Sequence, residues 1–231
     1  MLDVHPPHEA THSWTDFFIH IATIVVGLIL AVGLEQSVEA VHHHHQRREL
    51  EQALYADTEK AVRESAIAAA DNQQLIHYLD VRIAQVEAAL DSNHPPTALL
   101  PRPVITDYDS PDDPTWKAAK SSGLTELFSP DDIKAYSETD ALVAINTNAY
   151  FAAVATWEKR TQFEWKFERN GATAPDFAHA TRQNVEDYLD LLLAEKSAYT
   201  SYNAWTKFLH GAESSILSGE RNLARIQQAE R

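Results

Sequence analysis

The chain contains no cysteine. Disulfides, thiolate catalysis and cysteine-based metal sites are therefore excluded, and redox chemistry gives no reading of the compartment. Glycine is scarce, with 6 among 231 residues, which predicts few tight turns and long helices. Positive charge is short: 19 Lys and Arg stand against 34 Asp and Glu, a net charge of −15. A nucleic-acid partner requires the opposite balance, so no nucleic acid is expected. The sequence also lacks a glycine-rich phosphate loop, a Gly-x-Ser-x-Gly elbow and a His-Glu-x-x-His helix. Carboxylates abound, but spacing alone pairs none of them. The expectation is a protein that is not an enzyme and carries no cofactor.

What the chain does have is an uninterrupted apolar run. Phe17 to Leu34, FFIHIATIVVGLILAVGL, is 18 residues without Asp, Glu, Lys or Arg. As a helix it covers roughly 27 Å, about one bilayer core. The run predicts one transmembrane helix. Ser13 with Asp16 resembles a capping box at its start, and Trp14 falls at headgroup level. Two other readings compete. A signal peptide would use Ala31-Val32-Gly33 as its cleavage site, but no Lys or Arg precedes Arg47 to form a basic leader. A buried core helix is disfavoured because the run is apolar all round. Gly27 and Ala31 form a small-xxx-small pair, which allows self-association or pairing with other membrane proteins. His20 is read as an interfacial group that lipid tolerates rather than as a functional one. Arg47 and Arg48 after the run, against no basic residue before it, place the following domain in the cytoplasm; a periplasmic domain is also workable.

From Leu34 to His94 there are 61 residues with neither Gly nor Pro. Val62, Ala69, Ile76, Ile83 and Leu90 recur every seven residues, with Leu79 and Val86 between them, a coiled-coil-like pattern. One helix is expected from Trp14 to about Leu90. Six prolines within 91–115 predict a long loop. A short helix capped by Thr115 should stop at Gly123. Ser129-Pro130-Asp131-Asp132 opens a helix running to Asn170-Gly171, and Asp176 opens the last one. Gly211 and Gly219 are its expected weak points. Phe163, Trp165, Phe167 and Phe177 are expected to fill a core, with headgroup contact alongside Lys159, Arg160, Lys166 and Arg169 as the competing reading.

The fold class is therefore all-α: a transmembrane helix continuing into a long antiparallel, three-helix, coiled-coil-like bundle. The divisions are a flexible tail at 1–13, the transmembrane helix and its exit at 14–41, and a helical soluble domain at 42–231. The domain's helices are each about 40 to 50 residues, as such a bundle requires.

His42 to His45 form a run of four histidines. Glu39, His42, His43 and His45 are the candidate metal ligands, since Glu39 to His42 has Glu-x-x-His spacing. The only other such spacing, Glu9 to His12, lies in the tail, and no further inward carboxylates complete a site. A pH-sensitive collar and a solvated or headgroup-facing patch are the alternatives, since imidazoles titrate near neutrality.

The stretch SWTDFFIHIATIVVGLILAVGLEQSVEAVHHHHQRREL, followed downstream by TWKAAKSSG, resembles a bacterial family of single-pass membrane proteins. Members carry an N-terminal transmembrane helix and a helical domain of unknown function. The resemblance covers the first 50 residues and Thr115 to Gly123, with Trp116 and Gly123 as marker positions. It implies a bacterial inner-membrane location and no activity. The functional expectation is a non-enzymatic membrane-anchored interaction, scaffold or sensory module. The alternative is a membrane-tethered metal- or cofactor-binding protein using the histidine cluster.

Overall fold

The computed structural model describes residues 14–97, 99–103, 112–167 and 175–222. Among these residues all regular structure is helical. The elements are α1 (Trp14–Ser92), α2 (Pro114–Ser122), α3 (Pro130–Glu164) and α4 (Arg182–Leu217), with short 3-10 turns at Leu124–Leu127 and Trp165–Phe167. The chain divides into two compact units, Met1–Glu49 and Leu50–Arg231. The expected tail at 1–13, with Ser13, and the expected turn at Asn170-Gly171, with Arg169, lie outside the described residues.

In the first unit the apolar run is helical, and none of it is buried. It is long and apolar enough to cross a membrane. Its polar side chains bond within the helix. His20 Nδ1 lies 2.9 Å from the Asp16 carbonyl, which fits the tautomer protonated at Nδ1. Thr23 Oγ1 donates to the Ile19 carbonyl at 2.8 Å, and Ser37 Oγ donates to the Gly33 carbonyl at 2.7 Å. Such i−4 bonds satisfy the side-chain polar groups within the helix itself. Trp14, Phe17 and Phe18 gather their rings at the start of the run, with centroids 5.8 to 6.3 Å apart.

The second unit is held by three helices. On α4, Val185, Tyr188, Leu192, Glu195, Tyr199, Tyr202, Thr206, Leu209, Glu213 and Ile216 are all buried. They follow alternating steps of three and four residues, the spacing that keeps one stripe of a helix against its neighbours. On α1 the buried stripe is Ser65, Ala68, Asn72, Leu75, Leu79, Arg82, Val86 and Ala89, with the same steps. Only Leu79, Ile83 and Val86 of the expected heptad are fully buried. The stripe is displaced because polar residues occupy it, and they have partners. Ser65 bonds Glu213, Arg82 pairs with Glu164, and Thr206 Oγ1 donates to Asn146 Oδ1 at 3.1 Å. Pairings between α3 and α4 run in opposite order: Asn146 with Thr206, Arg160 with Glu195, Glu164 with Tyr188.

The main core gathers Leu75, Leu79, Val86, Phe177, Tyr188 and Leu192, with Phe163 and Phe167 packed against it. The Phe177 ring lies tilted against those of Phe167 and Tyr188, with centroids 4.7 and 4.8 Å away. The expected aromatic core is therefore present, except that Trp165 is 61% exposed. Arg160 is not a headgroup ligand; it is buried in the core.

Element boundaries differ from expectation at two starts. Helix α2 begins at Pro114, with Asp113 as its N-cap residue, because Pro fits the first helical position and needs no N–H partner there. Helix α4 begins after Thr181 rather than at Asp176. Thr181 and Asn184 form a reciprocal capping box, whereas the Asp176 carboxylate accepts from the Ala178 amide at 2.9 Å and closes a local turn instead. The Ser129 cap behaves as expected, accepting from the Asp132 amide at 3.2 Å. Gly123 ends α2 with φ 76°. A Cβ added there would meet nothing within 4 Å, so Gly123→Ala should cost only the left-handed backbone penalty. We expect a loss of about 1 kcal/mol, read as a lower denaturant midpoint at unchanged slope.

Candidate functional site

A second, smaller core lies beside the main one. Leu54, Trp116, Ala119 and Phe128 form it, with Tyr136 packed against them. Trp116 stacks on Tyr136 with centroids 5.1 Å apart and meets Phe128 edge-on at 6.4 Å. Helix α2 is positioned by an acid from α1: Asp57 Oδ2 accepts from the Thr115 amide at 3.3 Å. That carboxylate satisfies a first-turn N–H and complements the helix dipole.

The arrangement leaves a small cleft of about 40 Å³, partly open to solvent. Asp57, Thr58 and Ala61 line it from α1, Asp112, Asp113 and Trp116 from the α2 segment, Tyr136, Thr139 and Val143 from α3, and Glu213 and Ile216 from α4. Four carboxylates and no Lys, Arg or His are among its lining residues. Two of the four are offset from outside the lining: Lys117 Nζ lies 2.5 Å from Asp112 and 2.9 Å from Asp113. These two acids raise the Lys117 pKa, since both hydrogen-bond its ammonium form. Burial raises the Asp113 pKa, and Asp140 beside it adds to the effect.

Glu213 is the unusual member. It is 3% exposed, and its one hydrogen-bond donor among the described residues is the Ser65 hydroxyl, 2.9 Å from Oε2. His210 Nδ1 lies 3.1 Å from the same hydroxyl. The single Ser65 proton has a second acceptor in the Ala61 carbonyl at 2.8 Å; a serine that donates it to Glu213 can accept from a protonated His210 Nδ1. Burial pushes the Glu213 carboxyl up to about 7, the Ser65 bond lowers it, and Glu64 raises it. Trp116 Nε1 is buried with no hydrogen-bond partner among the described residues. A buried donor left unmade costs about 1–3 kcal/mol.

The other buried polar cluster is closed on itself. Arg160 and Glu195, 2% and 1% exposed, pair through Nε and Oε2. Arg160 Nη1 also donates to Glu164 Oε2 at 2.5 Å, and Tyr188 donates its hydroxyl proton to Glu164 Oε1 at 2.6 Å. Arg82 stands 3.3 Å from the same oxygen and donates to the Tyr78 hydroxyl. Two guanidiniums balance two carboxylates. Burial alone would lower the Arg160 pKa, but Glu195 and Glu164 outweigh it and raise it. Burial raises the Tyr188 phenol, so it stays a donor. The chemistry of this set is structural: matched charges that fix which helix faces which.

The sequence-predicted ligands lie elsewhere. Glu39, His42, His43 and His45 are exposed on α1. His42 and His43 have ring centroids 6.4 Å apart, and His45 Nε2 meets Glu49 Oε1 at 3.1 Å one turn on. Among the described residues no group of three or more His, Cys, Asp or Glu is placed to hold a metal. Sequence reasoning missed the cleft. The available signal was acid on an apolar stripe: Glu195 and Glu213 sit in step with Leu192 and Leu209. The marker residue Trp116 is a cleft wall, and Gly123 is the helix stop. Searches against protein-family models, curated proteins and solved structures return no significant match to this chain.

Proposed function

We propose that this is a non-enzymatic, single-pass protein of the bacterial inner membrane whose helical domain serves as an interaction, scaffold or sensory module. One observation carries the reading: the run from Phe17 to Leu34 turns its large apolar side chains outward, from Phe17 and Ile19 to Leu30 and Leu34. A contiguous apolar surface of that extent is stable in lipid and not in water. The internal bonds of His20 and Thr23 support it, since both polar groups are satisfied without solvent. The opposite order of the α3 and α4 pairings supports an antiparallel bundle for the domain. Self-association through Gly27 and Ala31 belongs to the same reading; a Cβ at Gly27 would meet nothing within 4 Å.

The test is extraction of membranes carrying the full chain. The protein should remain in the pellet after washing at alkaline pH and enter solution only with detergent. Release by the wash, or amino-terminal sequencing that finds the first thirty-odd residues removed (roughly a leader's length), would overturn the proposal. Reporter fusions at the C-terminus should report a cytoplasmic domain, following Arg47 and Arg48.

A further inference from the structure

We propose that α1 pairs in parallel with α1 of a second copy of this chain, along a seam that leaves the membrane through Leu34, Val38 and Val41 and closes at His45. The pairing deepens the membrane reading and rests on it. Two copies anchored in one bilayer by the same run lie parallel, with equal residues at equal depth.

The seam is an apolar stripe with nothing of its own chain over it. Leu34, Val38 and Val41 are 70%, 64% and 71% exposed. Within the unit Met1–Glu49 the described residues form α1 alone, so no other element of that unit covers them. Lipid does not reach all of them either. At ~1.5 Å per residue, Val38 and Val41 stand roughly 6 and 10 Å beyond the end of the apolar run. A headgroup layer is only about 5–7 Å deep, and Glu35 and Glu39 already flank the stripe there.

The spacing points to a copy as the partner. Gly27, Ala31, Leu34, Val38, Val41 and His45 follow one another in steps of four, three, four, three and four residues. Those are successive d and a places of a heptad, which line one seam of a helix. Leu34 at d with Val38 at a is the choice that favours two parallel strands. The stripe is also continuous with Gly27 and Ala31, where small side chains let two backbones approach in lipid. A copy presents the same residue at the same level. Small then meets small within the bilayer, and apolar meets apolar beyond it.

Charge fits the pairing. The chain carries −15, but Leu34 to Glu49 holds only Glu35, Glu39 and Glu49 against Arg47 and Arg48. In a parallel pair each g place faces the partner's following e place. His44 at g would meet the partner's Glu49, an imidazole against a carboxylate, and Ser37 would meet the partner's His42. Neither pair sets acid against acid. Glu49 also meets His45 of its own chain at 3.1 Å, which holds the carboxylate beside the seam. Arg48 takes the next d place, where two guanidiniums would repel, so the seam stops at His45.

The absence of cysteine makes a direct test possible. Single cysteines enter the full chain in its native membrane, and a mild oxidant links any two that meet. Leu34→Cys, Val38→Cys and Val41→Cys lie on the seam; Gln36→Cys, Glu39→Cys and His43→Cys lie on the outer face. Seam positions should give at least about fivefold more disulfide-linked dimer than outer ones. Val38→Glu combined with Val41→Cys should cut the linked dimer at least about fivefold, whereas Glu39→Gln combined with Val41→Cys should leave it unchanged. Each membrane sample is washed at alkaline pH beforehand. Equal linking on both faces, no linking on either, adducts to other proteins alone, or indifference to Val38→Glu, in protein that stays in the pellet, would overturn the seam and leave the anchor standing. Release by the wash would overturn the anchor, and the parallel register with it.

Discussion

Arg160→Ala lowers the stability of the helical domain by about 3–5 kcal/mol, the range for removing one partner of a buried ion pair. The guanidinium bonds Glu195 and Glu164, and both acids are buried. Its loss strands Glu195 with no cation among its described partners, while Glu164 keeps Arg82 and the Tyr188 hydroxyl. At about 2–4 °C per kcal/mol for a domain of this size, thermal unfolding should move down by at least about 6 °C. The companion variant distinguishes broken charge from lost packing. Arg160→Met together with Glu195→Met removes both charges and keeps aliphatic volume, so it should cost much less than Arg160→Ala. A loss below about 1 kcal/mol for Arg160→Ala would mean that water reaches the pair.

Glu213→Gln works in the opposite direction, and its effect depends on pH. Burial raises the folded carboxyl to about 7 from an ordinary 4.5. A group whose folded pKa is raised favours the folded state while protonated. That contribution is complete below about pH 4.5 and is lost as pH climbs through about 7. A shift of that size corresponds to about 3 kcal/mol between the two limits. Glutamine cannot ionise, so the variant should be more stable than the parent at pH 8, by up to about 3 kcal/mol, and nearly equal to it at pH 4. Denaturant titrations at both pH values read the difference. A parent protein whose glutamate-dependent stability rises between pH 5 and 8 would contradict the burial of an unpaired Glu213.

Much of the helical architecture was legible because it rests on local signals. The absence of Gly and Pro from Leu34 to His94 gives one long helix, and α1 indeed ends at Ser92. Ser129 and Gly123 act as cap and stop, since a capping oxygen and a residue free to take positive φ work over a few residues. The buried stripe of α1 was misplaced because Ser65, Asn72 and Arg82 occupy it, and a reading based on hydrophobicity passes over polar residues. Only the facing helices reveal why they are tolerated. The start of α4 was missed for a related reason: Asp176 and Thr181 both carry cap chemistry, and the Asn184 side chain decides between them by bonding back to Thr181. The cleft was not legible at all. It needs Asp57, Trp116, Tyr136 and Glu213 side by side, and long-range packing, not spacing, sets that meeting.

The Arg82, Glu164, Arg160 and Glu195 set joins α1, α3 and α4 at one level of the domain. Sliding any one of these helices by a single turn, ~5.4 Å, would carry a charge out of its mate's reach and into hydrocarbon. Piston-like travel of one helix past its neighbours is therefore barred there. Any message relayed through this domain has to be carried by twisting or by parting of the helices.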